Sequence, residues 1–184
     1  MIYGLLDWDL IQKYQISIEK FITKCYELDV KIIQYRDKNS DLEQIKNRLL
    51  KIRNLWNKTL IINDYIELTK FCDGLHIGQE DLEKYKSIQN IRDIIGDKIL
   101  GLSTHNKQEV LKANELDIDY IGLGAYRITS TKDVISIGGK QLEEIAKLSN
   151  KDVAMIGGVK LSDKINNIKY KVIGSDICKS ISTQ

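Results

Sequence analysis

The sequence contains no proline. Average usage is about 5%, so one common kind of turn punctuation is missing and element boundaries must be read from other signals. The chain is also rich in Ile, Lys and Asn. Together these features read as a compositional bias of the source genome. Cysteine is scarce: Cys25, Cys72 and Cys178 stand far apart, odd in number and without a CxxC pair. That excludes a disulfide framework and suits buried or incidental thiols in a reducing cytoplasm.

Long apolar runs are absent as well. None approaches the roughly 20 residues that cross a bilayer. The opening "MIYGLLDWDL" lacks the basic start and extended apolar stretch of a signal peptide, so a cytoplasmic protein with no membrane partner is expected. No single sign of charge dominates: 28 Lys and Arg face 26 Asp and Glu, for a net charge of +2. Nucleic acid is therefore not an expected partner. No linker, repeat or low-complexity segment interrupts the 184 residues, and that length suits a single domain spanning 1–184 with a substantial core.

What is present is alternation. Short β-rich runs recur as "IYGLL" (2–6), "VKIIQY" (30–35), "TLIIN" (59–63), "GLHI" (74–77), "KILGL" (98–102), "YIGLG" (120–124), "VAMIG" (153–157) and "KVIG" (171–174). Helical patterns separate most of them. In "SDLEQIKNRLLKIRNLW" the spacing of Ser40 and Glu43 predicts a capping box. Leu42, Ile45, Leu49, Ile52 and Trp56 then share one helical face. "NKQEVLKANEL" repeats the scheme with Asn106 and Glu109, and "KQLEEIAKL" is a third helical stretch. Eight strands alternating with helices predict an α/β fold, a closed (β/α)8 TIM-type barrel. An open doubly wound sheet is the alternative if a weak run such as "GLHI" is not a strand. Such barrels usually need about 250 residues. The shortfall falls on a shortened seventh helix, in "VKLSDKINNIKY", and a largely missing last one, in "DICKSISTQ".

In such a barrel the C-terminal strand ends carry the chemistry. The second strand leads into Gln34, Arg36 and Lys38, alternating on one face, where a guanidinium fork suits phosphate oxygens. The third ends at Asn63-Asp64, and the fourth runs through His76 toward Asp81. Two carboxylates from adjacent loops can hold Mg²⁺, or each can simply cap the helix that follows. His76 can equally be a hydrogen-bonded core residue. The fifth strand ends at Ser103, Thr104 and His105, where His105 suits surface or pocket alike. The sixth leads to Gly122, Gly124 and then Thr129, Thr131 and Lys132, whose hydroxyls and cation suit phosphate. The last two end at Gly157-Gly158 and Gly174-Ser175, in the loops that most often bind phosphate in this fold. The pattern predicts an enzyme acting on two phosphorylated small molecules, one a metal-bound diphosphate.

Eight ordered motifs sharpen this. They are "QYRDK" (34–38), "IINDY" (61–65), "DGLHIGQEDL" (73–82), "ILGLSTH" (99–105), "DYIGLG" (119–124), "TSTK" (129–132), "IGGV" (156–159) and "VIGSDI" (172–177). In this order they resemble the thiamine-phosphate synthase family, from about Tyr3 to Ile177. The resemblance implies a transferase. It would join 4-amino-5-hydroxymethyl-2-methylpyrimidine diphosphate to the thiazole phosphate, releasing pyrophosphate by a dissociative, Mg-assisted route. It implies that Gln34, Arg36, Lys38, Asn63, Ser103 and Lys132 hold the pyrimidine diphosphate, with Arg36, Lys132 and Ser103 at the reacting end. His76 would lie beside the pyrimidine, and Asp64 and Asp81 would hold Mg²⁺. Thr129, Thr131, Gly158, Gly174 and Ser175 would hold the thiazole phosphate. Family members often associate, so a homodimer is an expectation.

Two departures stand out. Ala125 and Ile128 occupy positions where the family usually has proline, and Asp176 brings a charge close to the expected thiazole-phosphate site. Two rival readings follow from the same likeness. One is a thiazole tautomerase using His105 as acid–base group. The other is a non-catalytic binder of a thiamine precursor.

Overall fold

A computed structural model describes residues 1–127 and 138–182. Its eight strands are β1 (Ile2–Asp7), β2 (Ile32–Arg36), β3 (Thr59–Asn63), β4 (Gly74–Ile77), β5 (Ile99–Thr104), β6 (Tyr120–Leu123), β7 (Asp152–Met155) and β8 (Tyr170–Ile173). They pair in parallel, in chain order, and close where β8 meets β1. The weakest of the sequence runs, "GLHI", is a full member, paired on both sides. The open-sheet alternative is therefore overturned.

The helices form the outer layer: α1 (Trp8–Lys13), α2 (Ile18–Glu27), α3 (Leu42–Leu55), α4 (Gln79–Tyr85), α5 (Ile88–Ile95), α6 (Lys107–Asn114), α7 (Lys140–Ala146) and α8 (Ser175–Ser182). A 3-10 turn, Ile66–Phe71, joins β3 to β4. Among the described residues no helix is long and apolar enough to cross a membrane.

Strand alternation divides the apolar residues into two cores. The larger fills the space between sheet and helices and includes Phe21, Ile45, Leu49, Trp56, Leu75 and Leu100. The smaller lies inside the barrel and consists of Tyr3, Ile32, Ile61, Tyr120, Ala154 and Val172. Two residues further along the same inward parity come Leu5, Gln34, Asn63, Gly122 and Gly174. The barrel interior thus changes from apolar to polar on approaching the C-terminal mouth.

Local signals differ in three places from the sequence reading. The N-cap of α3 is Asp41, whose Oδ1 accepts from the Gln44 amide at 2.8 Å, while Ser40 Oγ accepts from Arg48 at 2.6 Å. The region between β7 and β8 holds no helix at all. Asn167 has φ 59, which a continuing helix cannot contain, and Lys171 Nζ ties the carbonyls of Leu161 and Asp163. The last helix, expected to be largely missing, is present as two turns, because Ile177 and Cys178 supply enough apolar surface to bury it.

The cap of α6 matches the reading in part. Asn106 Oδ1 accepts from the Glu109 amide at 3.0 Å, but the Glu109 carboxylate accepts from the His105 amide, at 2.8 Å, and from the Asn106 side-chain amide, at 2.6 Å, in place of the Asn106 backbone N–H. Asn106→Ala is expected to lower stability by about 1 kcal/mol. Urea unfolding monitored by circular dichroism measures this, and an unchanged midpoint would remove the cap from the account.

Candidate active site

The polar layer is built by strand register. Asn63 pairs with His76 across β3 and β4, and Ser103 pairs with Gly122 across β5 and β6. Their side chains join those of Gln34, Tyr3 and Tyr120 in a continuous row. Gln34 Nε2 donates to Asn63 Oδ1 at 2.9 Å, and the Tyr3 hydroxyl donates to Gln34 Oε1 at 3.2 Å. The Tyr3 and Tyr120 hydroxyls are 2.9 Å apart. His76 Nδ1 lies 2.9 Å from the Tyr120 hydroxyl, and its Nε2 lies 3.0 Å from Ser103 Oγ. Gln79 Nε2 donates to the Ser103 carbonyl at 2.6 Å, which fastens α4 to the end of β5. His76 is buried and hydrogen-bonded, and it stands in the polar layer at the mouth.

Beside this row lies a carboxylate pair. Asp64 follows β3 in the left-handed region, with φ 68, a conformation that Asp tolerates better than most residues. It does not cap the turn that follows; Tyr65 holds the cap position there without a side-chain bond. Asp81 does act locally, accepting from the Gly78 amide at 3.0 Å. Burial, and the facing Asp81 carboxylate, push the Asp64 carboxyl above its ordinary value, against the pull of Lys38. Lys38 Nζ is 3.4 Å from Asp64 Oδ2. One lysine at that distance leaves the two carboxylates under-compensated, a donor set of hard oxygens that fits Mg²⁺. Among the described residues no cluster of three or more His, Cys, Asp or Glu side chains could hold a metal. The remaining ligands of a cation here would be water or substrate oxygens.

The third feature is basic. Arg36 ends β2 and forms an ion pair with Asp7, at the end of β1. Asp7 also caps α1, accepting from the Leu10 amide at 3.1 Å. Below, Asp37 accepts from the Tyr35 hydroxyl, Arg48 and the amides of Asn39 and Ser40. This ties down the turn that carries Arg36 and Lys38.

On the far side of the mouth Gly157 and Gly158 have φ 92 and 66. A Cβ at Gly157 would lie 2.5 Å from that of Ala125, so only glycine fits. Ser175 opens α8 directly after Gly174. Asp176 turns away onto the preceding loop, where it accepts from the Leu161 amide at 2.9 Å. Arg127 Nη1 donates to the Gly158 carbonyl, and the guanidinium is bidentate to Asp163. Thr129, Thr131 and Lys132 lie outside the described residues. His105 Nδ1 is 3.0 Å from Glu109 Oε2, so α6 holds that ring nitrogen.

Residues 9–179 match a family model described as thiamine monophosphate synthase. The chain belongs to the thiamine monophosphate synthase family. It is 34% identical over 168 residues to the thiamine-phosphate synthase of Pelotomaculum thermopropionicum, which covers 86% of this chain and 74% of the relative. The Dictyoglomus turgidum thiamine-phosphate synthase is 38% identical over 162 residues, covering 83% and 71%. Among solved structures, the thiamine phosphate pyrophosphorylase from Pyrococcus furiosus superposes with a TM-score of 0.78 at 19% identity, covering 99% of this chain and 95% of that one. A tryptophan synthase α-subunit from the same organism reaches 0.69 at 11% identity. At those identities both likenesses speak for the barrel alone.

The structure brings Gln34, Asn63, His76 and Ser103, four of the residues singled out in the sequence, together at one mouth. Reading the sequence missed Tyr3, Tyr120 and Asp7. The parity of the strands carries the signal for all three: Tyr3 and Asp7 lie on the face of Leu5, and Tyr120 on the face of Gly122.

Proposed function

We propose that the protein joins 4-amino-5-hydroxymethyl-2-methylpyrimidine diphosphate to 4-methyl-5-(2-phosphoethyl)thiazole, releasing pyrophosphate and forming thiamine phosphate. The protein is a transferase of thiamine biosynthesis. The observation that carries the finer reading is the under-compensated Asp64–Asp81 pair, set beside Lys38 and next to a buried polar row.

The row, with Gln34, Asn63, His76 and Ser103, would receive the pyrimidine ring. Asp64 and Asp81 would hold Mg²⁺, which neutralises charge on a diphosphate when bound. Arg36 and Lys38 would bind the same diphosphate, and Lys132 is assigned the same work from its motif. As the exocyclic carbon–oxygen bond breaks, negative charge grows on the leaving diphosphate, and these cations stabilise it where it develops. Positive charge is left on the pyrimidine's CH₂ and spread through its ring. The thiazole nitrogen then supplies the electron pair for the new carbon–nitrogen bond. Gly158, Gly174 and Ser175, with Thr129 and Thr131, would hold the thiazole's phosphate through backbone amides and hydroxyls. No protein nucleophile is required, so positioning two substrates in a mouth shielded from water supplies much of the acceleration.

The test is direct. Purified protein with both substrates and Mg²⁺ is expected to yield thiamine phosphate by mass and an equal amount of pyrophosphate, both lost with EDTA. Binding of either substrate without any product would overturn the proposal.

A further inference from the structure

Six side chains from six strands form one unbroken row inside the barrel: Ser103, His76, Tyr120, Tyr3, Gln34 and Asn63. Successive spacings are 3.0, 2.9, 2.9, 3.2 and 2.9 Å. Two glycines make room for it. A Cβ at Gly101 would lie 2.1 Å from the Tyr120 ring, and one at Gly122 would lie 3.0 Å from His76 Cε1.

With the Gln34 and Asn63 amides oriented as in the structure and His76 neutral, a count of hydrogens gives the sense of the row. Gln34 Oε1 carries none, so the Tyr3 hydroxyl donates to it. A tyrosine hydroxyl has a single hydrogen. The contact between the tyrosines must therefore be made by Tyr120 donating to Tyr3. With its hydrogen so committed, Tyr120 can only accept from the imidazole, and Nδ1 of His76 carries the hydrogen. A neutral imidazole protonated at Nδ1 has its lone pair at Nε2. Nε2 then accepts from the Ser103 hydroxyl. Burial raises both tyrosine hydroxyls above their ordinary range, so neither loses its hydrogen at working pH.

The geometry points to a single polarised row, Ser103→His76→Tyr120→Tyr3→Gln34→Asn63, in which Tyr3 and Tyr120 are positioning residues that hold His76 as its Nδ1–H tautomer. The consequence is felt at both ends. Ser103 Oγ, with its hydrogen turned inward, offers only lone pairs to the mouth. Asn63, whose Oδ1 is occupied, offers its NH₂ hydrogens. The mouth thus presents an acceptor at the end of β5 and a donor at the end of β3. It selects a ligand with an N–H or NH₂ group over Ser103 and an acceptor atom over Asn63, and it disfavours an anionic oxygen over Ser103. The buried partners make the pattern hard to reverse, because a mismatched ligand would leave a buried polar group unpaired.

The tautomer can be read directly, without substrate and independently of the proposed reaction. Protein labelled with ¹⁵N in its two histidines is examined by long-range ¹H–¹⁵N NMR at pH 8, with His105→Gln separating the two sets of signals. The expected spectrum has His76 Nδ1 at the protonated shift and Nε2 at the unprotonated one. Tyr120→Phe removes the acceptor and Tyr3→Phe releases the Tyr120 hydrogen. Each is expected to move His76 to the Nε2–H tautomer. A wild-type spectrum showing Nε2–H would mean the row runs the other way, with both amides turned over, and would overturn the proposal. So would an imidazolium, or a tautomer unmoved in both variants. The wild-type spectrum alone decides the sense of the row, whether or not either variant folds.

Discussion

Asp64→Asn is expected to lower kcat/KM for thiamine phosphate formation by about 10²–10³-fold, because it removes one of two carboxylates available to a cation whose transition-state contribution is worth several kcal/mol. Asparagine is the informative replacement. Position 64 sits at φ 68, where Asn is tolerated and Ala is strained, so an alanine variant would mix a backbone cost with the loss of charge. The carboxyl is already held above its ordinary value by burial and by Asp81. Removing its charge therefore relieves repulsion in the metal-free protein. The variant should melt no lower than wild type without Mg²⁺, and should lose whatever rise in Tm wild type shows when Mg²⁺ and pyrophosphate are added together. Full activity in Asp64→Asn would sink the cation reading. Loss of synthase activity with a retained thiazole tautomerase activity would instead bring His105 forward.

The barrel was legible because each strand is short, β-branched and followed by a polar turn, and because the helices between strands carry a regular apolar face. Trp56 illustrates the rule: it lies on the same face as Ile45, Leu49 and Ile52, and all four are fully buried. The candidate site was legible where its residues lie at the C-terminal end of a strand, as Asn63 and Ser103 do. Tyr3 and Tyr120 were not, because a tyrosine in an apolar run looks like packing. Their role depends on meeting each other across the barrel, 117 positions apart in sequence. Asp7 was missed for a related reason. Nothing local in the sequence marks it: one carboxylate oxygen caps α1, and the other holds Arg36 from the neighbouring strand. The last helix was underestimated because the nine residues of "DICKSISTQ" seemed too few. Two turns suffice when Ile177 and Cys178 both face the core.

The support beneath the mouth leads to the second large effect. Asp37 is flanked in sequence by Arg36 and Lys38, yet its side chain is 0% exposed, and Arg48 of α3 meets it at 2.7 Å. The guanidinium in turn stacks on the Trp8 ring at 3.9 Å. Arg48→Met keeps much of the stem's volume but strands a buried carboxylate, and such a break costs about 3–5 kcal/mol. Urea unfolding at pH 7 measures it. Burial pushes the Asp37 carboxyl up, but hydrogen bonds from Tyr35, Ser40 and Asn39 outweigh it and hold the group below its ordinary 3.8. A carboxyl lowered in the folded state contributes stability that is present above the unfolded value and is lost as pH falls through the folded one. Wild type should therefore lose stability below about pH 4, whereas Asp37→Asn should be weaker at pH 7 and flatter with acid. The turn between β2 and α3 carries Arg36 and Lys38, so the same variants should also weaken binding of a diphosphate. If Arg48→Met unfolds at the wild-type midpoint, the ion pair is not what fixes that turn. The aim of Arg36 and Lys38 would then rest on Asp7 and Asp64 alone.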